Sequence, residues 1–275
     1  MIQIILILFI IIINYLLINS IFNKEKFSYD LPNNDFVISL FLTGGLCEEA
    51  ENCIKSIENV GLKNKLIVTT LDNTAFECIN KLNVKVENKK TNLEKEANFG
   101  TKQFFKIVMH KFKIIRNHLL KYNIVIYSDS DIVFLKNITN DINDFKKSKY
   151  DIMIQDDSNN FNNSTNLCTG FIFFKSNKKN LNLINNIINN MKHSYNKLKN
   201  NNNGLADQKF FNKLLKKHKI NVKLLDLKDY PNGARYFDNY NLKYKNHKPK
   251  IVHNNYIVGT KNKIERFKKY NLWFI

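Results

Sequence analysis

The chain has 275 residues, which suits one large domain or two small ones. A hydrophobic content of 44% excludes a disordered chain, and eight glycines and three prolines exclude collagen-like sequence. The net charge of +19 is typical of proteins that bind nucleic acid or membrane surfaces. However, only Arg116, Arg235 and Arg266 are arginines. Because A/T-rich codons encode lysine, asparagine and isoleucine, we expect part of this charge to reflect base composition.

The N-terminal segment, residues 1–22, is apolar and carries no charged side chain. As a helix it would extend about 33 Å, enough to cross a bilayer. It is longer than the apolar core of a cleaved signal peptide and lacks a small-residue cleavage site. We therefore predict an uncleaved transmembrane signal anchor, with a cleaved signal peptide and a buried core helix as alternatives. Residues 23–34 are predicted to form a stem, and residues 35–275 the folded domain.

Short apolar runs alternate with helical patterns in the body of the chain. Strands are predicted at 37–42, 66–70, 124–127, 132–135 and 171–174. Helices are predicted at 104–119, 181–191 and 206–215, and a polar loop at 196–203. This alternation predicts an α/β layered fold with a mainly parallel sheet. In such folds, ligands bind beyond the carboxyl ends of the strands.

Two carboxylates follow the strand predicted at 124–127. Asp129 and Asp131 flank Ser130, and another apolar run comes directly after them. Carboxylates two residues apart at a turn can converge on one hard divalent cation. Asp-x-Asp alone is a weak signal, and a solvated turn is the alternative. The apolar flanks favour a metal site, because unpaired buried charge is costly.

A second polar cluster lies near the C-terminus. His253 follows a short apolar run and precedes Gly259, Lys261 and Lys263. An imidazole can serve as a third metal ligand, glycine lets the backbone approach a phosphate, and lysine supplies positive charge. The alternative is a hydrogen-bonded histidine followed by a solvated basic helix.

Six segments, taken in order, resemble the nucleotide-diphospho-sugar transferases of glycosyltransferase family 77, which have the GT-A fold. These segments are 110–120, 127–137, 168–174, 207–212, 225–237 and 252–273. The likeness covers roughly residues 36–275, nearly the whole body. The chain departs from the family pattern at Tyr122 or Asn123, where glycine is usual, and at Ser130, where valine is more usual.

The resemblance implies a metal-dependent, retaining glycosyltransferase. Its donor is expected to be a nucleotide-diphosphate sugar, with uridine diphosphate (UDP) as the carrier, and its acceptor a hydroxyl of a glycan or glycoprotein. The expected cofactor is Mn²⁺ or Mg²⁺, bound by Asp129, Asp131 and His253. Asp207 and Gln208 are the candidate catalytic residues, although no carboxylate is an obvious nucleophile.

Further roles follow from the same resemblance. The residues assigned to the nucleotide and its diphosphate are Thr43, Gly44, Lys111, Ser130, Gly259, Lys261 and Lys263. The residues assigned to the donor-sugar pocket are Thr169, Gly170, Asn232 and Gly233. Simpler interpretations stay open for several of them: a solvated helix face for Lys111, a strand entry for Thr169, a helix cap for Asp207 and a turn at Asn232.

Two other functions compete with this one. A basic, membrane-tethered protein that binds nucleic acid or anionic lipid would explain the charge, but the lysines are scattered and no nucleic-acid motif is visible, so no nucleic-acid partner is expected. An inactive GT-A homologue is the second alternative.

Location and cysteine chemistry remain open at the level of sequence. Because Lys24 and Lys26 follow the apolar segment, the positive-inside rule keeps the body in the cytosol, whereas the implied function favours the lumen of the endoplasmic reticulum or Golgi. Four cysteines without a C-x-x-C pair argue against zinc. Both a disulfide among Cys47, Cys53 and Cys78 and buried free thiols are compatible with the sequence.

Overall fold

The computed structural model describes residues 34–91, 93, 97, 100–157, 166–197, 206–239, 244 and 247–275. The predicted anchor, the predicted stem up to residue 33 and residues 198–203 of the predicted loop lie outside these residues. Among the helices of the described ranges, none is both long enough and apolar enough to cross a bilayer.

Nine strands and seven α-helices make up the regular structure of the described residues. The strands are β1 (Asn34–Leu42), β2 (Leu66–Thr70), β3 (Lys85–Asn88), β4 (Tyr122–Ser128), β5 (Ile132–Phe134), β6 (Ile152–Asp156), β7 (Leu167–Lys175), β8 (Val222–Leu224) and β9 (Ile251–His253). The helices are α1 (Cys47–Asn59), α2 (Asn73–Asn80), α3 (Lys102–Leu119), α4 (Thr139–Lys147), α5 (Lys178–Lys197), α6 (Asp207–Leu215) and α7 (Thr260–Lys269).

A seven-stranded sheet forms the centre of the fold, in the order β3-β2-β1-β4-β7-β6-β8. Strands β1 to β4 pair parallel with one another, and β6 pairs parallel with β8, whereas β7 is antiparallel to both β4 and β6. The prediction of an α/β fold with a mainly parallel sheet is therefore confirmed. The exception follows from the length of the connection: only residues 157–166 lie between β6 and β7, fewer than the dozen or more that a parallel crossover needs, so these two strands pair antiparallel.

The apolar side chains of the sheet divide between two core layers, because successive residues of a strand point to opposite faces. Ile38 and Leu40 of β1 pack with α1 and α2 in one layer. Val37 and Phe41 pack with α3, α5 and α6 in the other. Burial on both faces explains why the central strands are continuous apolar runs.

Local signals fix the ends of several helices. The Asp72 carboxylate accepts a hydrogen bond from the Ala75 amide at 2.9 Å and caps α2. Thr101 caps α3 in the same way. Gly61, with a φ of 78°, stands just beyond α1 in the left-handed conformation that commonly ends a helix. Helix α1 was not among the predicted elements, because its first turn is polar.

A small second sheet lies apart from the main one and consists of β5 and β9. The two strands pair antiparallel, and their register places Ile132 opposite His253. Val133 and Val252 pack into a third apolar cluster with Phe237, Phe267 and Leu272. We call this region the β5–β9 ribbon. It joins segments that are about 120 residues apart in the sequence, and it positions the C-terminal histidine.

Candidate metal and diphosphate site

Asp129, Asp131 and His253 converge at the carboxyl end of β4. Their ligand atoms, two carboxylate oxygens and one imidazole nitrogen, lie within 4.8 Å of one another. The His253 Nε2 is 3.3 Å from Asp131 Oδ1, because the ribbon register places these residues side by side. The Asn254 amide also donates to the Asp131 carbonyl at 2.8 Å. The two sequence clusters therefore form one site.

A hydrogen-bond chain orients the imidazole of His253. Gln155 donates its side-chain amide to the carbonyls of Tyr230 and Pro231, which leaves its Oε1 as an acceptor. That oxygen is 2.7 Å from His253 Nδ1. Nδ1 therefore carries a proton, and Nε2 faces the carboxylates. In metal-binding histidines, a hydrogen bond from the second ring nitrogen commonly fixes the orientation of the imidazole in this way.

Glycine at position 170 leaves the space that this site needs. A Cβ atom there would lie 2.5 Å from His253 Cε1 and 2.8 Å from Asp129 Oδ2. The Asp129 amide donates to the Gly170 carbonyl at 2.8 Å, so β7 approaches the Asp-x-Asp turn closely. Any larger residue would fill the centre of the site.

Two positive groups compensate the buried Asp131. Lys263 Nζ lies 2.9 Å from Asp131 Oδ2, while His253 contacts the other oxygen. Although burial acts in the opposite direction, Lys263 and His253 hold the pKa of Asp131 well below its usual range. Burial acts to lower the pKa of His253, but the neighbouring Asp131 carboxylate outweighs it. The pKa of His253 is therefore raised well above its ordinary value.

The residues present fit a hard divalent cation. Two carboxylates and an imidazole are suitable ligands for Mn²⁺ or Mg²⁺. The site also gathers positive charge around Asp131, the more deeply buried of the two aspartates, which is only 5% exposed. A divalent cation would supply that charge directly.

Lys111 forms the centre of a second charged group. Its Nζ lies 2.9 Å from Asp207 Oδ2 and 3.3 Å from Asp129 Oδ1, and it stands 4.8 Å from the centre of the Tyr127 ring. Burial opposes the effect, but the two carboxylates raise the pKa of Lys111 above its ordinary value. Lys111 is thus a buried cation between two candidate site residues. The alternative interpretation, in which Lys111 lies on a solvated helix face, is wrong.

The start of α6 meets the start of β7. Asp207 accepts a hydrogen bond from the Thr169 hydroxyl at 2.9 Å, and the Gln208 side chain accepts one from the Thr169 amide at 3.2 Å. Ala206, not Asp207, occupies the cap position of α6, and no side chain caps this helix. The helix-cap alternative for Asp207 is therefore wrong.

Gln208 is held from its other side by Asp157. The Gln208 amide donates to Asp157 Oδ2 at 2.8 Å, and Asn255 donates to Asp157 Oδ1 at 2.9 Å. The Tyr256 hydroxyl donates to the Asp157 carbonyl. Asp157 therefore links the end of β6, the start of α6 and the loop that follows β9.

The remaining predicted residues occupy different positions. Thr43 is buried at the end of β1, and the Gly44 amide already donates to Asp72 Oδ2 at 2.8 Å. Ser130 is buried between the two aspartates. Gly259, with a φ of 92°, precedes α7, whereas Lys261 is exposed. Lys263 is therefore the lysine that reaches the carboxylates.

Asn232 and Gly233 have structural contacts. Asn232 is fully buried and its amide donates to the Asp156 carbonyl at 3.0 Å. A Cβ atom at position 233 would lie 2.1 Å from the Asn255 carbonyl oxygen. These two residues hold the start of the helical segment 233–239 against the loop after β9, and the Arg235 amide donates to Asn232 Oδ1 at 2.9 Å. The structure thus has a helix start here rather than the Pro-Asn-Gly turn of the alternative interpretation.

Several residues of the site were missed at the level of sequence. Tyr127 donates its hydroxyl to Asp129 Oδ1 at 2.5 Å, and Gln155 and Asp157 orient His253 and Gln208. A signal was present in the last two, because a polar Gln-Asp-Asp run follows the apolar run of β6. It is the same pattern that identified the Asp-x-Asp turn.

Cysteine pairing is resolved within the described residues. Cys47 and Cys78 form a disulfide between α1 and α2, and Cys53 and Cys168 are buried free thiols. Cys168 Sγ lies 3.6 Å from His253 Nδ1. Burial raises the pKa of the Cys168 thiol.

The chain is similar in sequence to known sugar-transferring enzymes. A UDP-galactose:fucoside alpha-3-galactosyltransferase of Dictyostelium discoideum is 28% identical over 207 residues, which cover 69% of this chain and 31% of that protein. The UDP-D-xylose:L-fucose alpha-1,3-D-xylosyltransferase 3 of Arabidopsis thaliana is 30% identical over 199 residues, which cover 64% and 49%. The chain thus spans between about a third and a half of the length of these relatives.

A solved structure shares the fold. The crystal structure of a glycosyltransferase involved in the glycosylation of the major capsid of PBCV-1 superposes with a TM-score of 0.55 at 12% sequence identity, covering 86% of this chain and 99% of that one. Residues 61–267 match the sequence profile of nucleotide-diphospho-sugar transferases. The match extends over most of the folded part and includes Asp129, Asp131 and His253, and on this basis the chain belongs to the nucleotide-diphospho-sugar transferase family.

Proposed function

We propose that this protein is a metal-dependent glycosyltransferase that moves a sugar from a UDP-sugar to a hydroxyl of a glycan or glycoprotein. The observation that carries the proposal is the convergence of Asp129, Asp131 and His253, with Lys263 beside them, at the carboxyl end of β4. This edge of an α/β sheet is where ligands bind. The intact ligand set argues against an inactive homologue.

The names of the relatives suggest which donor and acceptor to propose. One uses UDP-galactose and a fucoside, and the other UDP-D-xylose and L-fucose. We therefore propose a UDP-linked pentose or hexose as the donor and a fucose-containing glycan as the acceptor. Both relatives form alpha linkages. Transfer from an alpha-linked UDP-sugar to such a linkage retains the anomeric configuration.

Each part of the site has a proposed task. Asp129, Asp131 and His253 would hold Mn²⁺ or Mg²⁺, which supplies Lewis-acid stabilisation of the leaving diphosphate when bound. Lys263 would add a cation at the same edge, and the exposed Lys261 can approach the phosphates from solvent. Thr43, Gly44 and Ser130, near the ends of the adjacent strands β1 and β4, would line the nucleotide pocket.

The donor sugar is proposed to lie over Thr169 and Gly170. Gly170 leaves room there, and Lys111 can stabilise negative charge next to it. Asp207 Oδ2 is engaged by both Lys111 and Thr169. We therefore assign Asp207 to positioning rather than to nucleophilic attack. Gln208 is held between Thr169 and Asp157, which fixes its amide at the edge of this pocket.

The folded domain is proposed to lie in the lumen of the endoplasmic reticulum or Golgi. The disulfide between Cys47 and Cys78 supports this location, because disulfides persist in oxidising compartments. Protease protection of microsomes that contain the full-length chain tests it. We expect the domain to resist the protease until detergent is added. Digestion of the domain in intact microsomes would contradict a lumenal location.

A panel of UDP-sugars tests the activity. The full-length chain is incubated with UDP-xylose, UDP-galactose or UDP-arabinose, with and without Mn²⁺, and with a fucoside acceptor. We expect Mn²⁺-dependent release of UDP from one donor, and faster release when the fucoside is present. Equal rates with Mn²⁺ and with excess EDTA would refute the metal assignment. An absence of release from every donor would refute the transferase assignment.

A further inference from the structure

Glu49 is a buried carboxylate for which the fold alone gives no reason. It lies in the first turn of α1 and is 1% exposed. Within the described part of the chain, neither of its carboxylate oxygens accepts a hydrogen bond. A buried polar group without a partner costs free energy, and each such group in a native protein calls for an explanation. Its neighbour Glu48, in the same turn, is exposed to solvent.

The surroundings of Glu49 belong to the diphosphate site. Burial raises the pKa of Glu49 to about 7, Lys263 acts to lower it, and Asp131 acts to raise it. Helix α7, which carries Lys263, packs against α1, and its first residue, Thr260, also acts to lower the pKa of Glu49. Further along α1, the Ser56 hydroxyl accepts a hydrogen bond from the Phe134 amide of β5, the strand that follows the Asp-x-Asp turn, at 2.9 Å. The buried face of α1 thus runs beside the Asp-x-Asp turn.

Lys263 therefore has two carboxylate neighbours of different kinds. Asp131 is in direct contact at 2.9 Å, whereas Glu49 acts on the ammonium from a longer distance. Burial acts to lower the pKa of Lys263, but Asp131 and Glu49 raise it above its ordinary value. A divalent cation bound to Asp131 would compete with the Lys263 ammonium for the same carboxylate. Once displaced, the lysine needs another negative partner, and Glu49 is the buried one that remains.

We propose that Glu49 is a positioning residue for Lys263: when a divalent cation takes Asp131, Glu49 retains the ammonium at the edge of the site, where it meets the nucleotide diphosphate. This inference rests on the proposed function. Helix α1, which lies outside the six motif segments, would thus keep the Lys263 ammonium in place. It also accounts for a carboxylate that is buried without a hydrogen bond, since its partner is in contact with Asp131 in the cation-free protein.

Melting temperatures of the cation-free, full-length protein test the pair without nucleotide. Lys263→Met leaves both carboxylates short of positive charge, and we expect the Tm to fall by roughly 5 °C. Adding Glu49→Gln to that variant should restore part of the loss, because it removes one uncompensated charge. Adding Glu48→Gln, the matched control on the exposed side of the same turn, should restore none. Equal effects of the two glutamines would overturn the pairing.

Titration with UDP in the presence of Mn²⁺ tests the role at the diphosphate. We expect Glu49→Gln to weaken UDP binding about tenfold, and to raise the KM for the UDP-sugar while kcat changes by less than about threefold. Glu48→Gln should match the wild type. A folded Glu49→Gln protein with wild-type affinity and KM would overturn the proposal. A wild-type chain that binds no UDP would refute the proposed function and the diphosphate role together, while the melting temperatures still judge the pair.

Discussion

The main sheet and the β5–β9 ribbon are stabilised in different ways. The sheet is buried by apolar side chains on both faces. The ribbon has a small apolar cluster, and it lies against buried charges that include Asp131, His253 and Lys263. The sheet thus provides a rigid support, while the ribbon brings together the groups that carry the proposed chemistry. The following variants separate these two contributions.

The largest effect is expected at Asp131. Asp131→Asn removes the most buried ligand charge and leaves Lys263 and His253 without their carboxylate. We expect turnover of the UDP-sugar to fall by about 10³-fold or more, since the metal supplies several kcal/mol of transition-state stabilisation. Steady-state kinetics with Mn²⁺ measures this. Asp144→Asn, at an exposed position of α4, is the control. Activity of Asp131→Asn within tenfold of the wild type would mean that the ribbon does not carry the chemistry.

Lys111 links the sheet to the site. Lys111→Met leaves Asp207 and Asp129 without their shared cation, and breaking a buried ion pair in this way costs about 3–5 kcal/mol. Denaturant unfolding of the variant should show a loss of that size. Lys113→Met, on the exposed face of the same helix, is the matched control. Equal stabilities of the two variants would show that Lys111 is not compensated as the structure indicates.

Leu40 tests the main sheet alone. It is fully buried in β1, and Leu40→Ala should lower the free energy of unfolding by about 2–5 kcal/mol through lost burial and the remaining cavity. Because Leu40 packs among the apolar residues of one core layer, Mn²⁺-dependent UDP binding by the folded variant should stay within about twofold of the wild type. A loss of binding larger than the loss of folded protein would show that the two regions are not separable.

The smallest effect is expected at the surface. Lys146 pairs with Asp35 at 2.8 Å, but both side chains are about half exposed. Exposed pairs of this kind contribute about 0–1 kcal/mol, and salt screens them. Lys146→Ala should therefore change the free energy of unfolding by less than about 1 kcal/mol, measured at low and at physiological salt. A larger change would mean that surface charge supports the sheet.

Much of the sheet could be predicted from the sequence, because buried parallel strands are continuous apolar runs. Strand β2 has the predicted bounds, and β4 and β7 contain the predicted ones. The reversed direction of β7 could not be predicted, since an apolar run carries no direction. Helix α1 was not predicted because its buried face includes the polar residues Glu49, Asn52 and Ser56, which interrupt the apolar periodicity of a helix.

The candidate site was predictable in its ligands but not in its supports. Asp129, Asp131 and His253 stood out because charged or polar residues directly follow apolar strands. Gln155, Asp157 and Glu49 act through partners that are distant in the sequence, so their contacts exist only in the fold. Asn232 illustrates the opposite case: a residue assigned to the sugar pocket by resemblance is buried and bonded to the backbone.

The central claim is that the Asp129–Asp131–His253 cluster holds a divalent cation together with the diphosphate of UDP. Calorimetric titration of UDP into the full-length wild type and into His253→Ala, each with and without Mn²⁺, tests it most directly. We expect the wild type to bind UDP only with Mn²⁺, and His253→Ala, while folded, to lose this dependence along with most of its affinity. Equal UDP affinity with and without Mn²⁺ in the wild type, or unchanged Mn²⁺-dependent binding in His253→Ala, would contradict it.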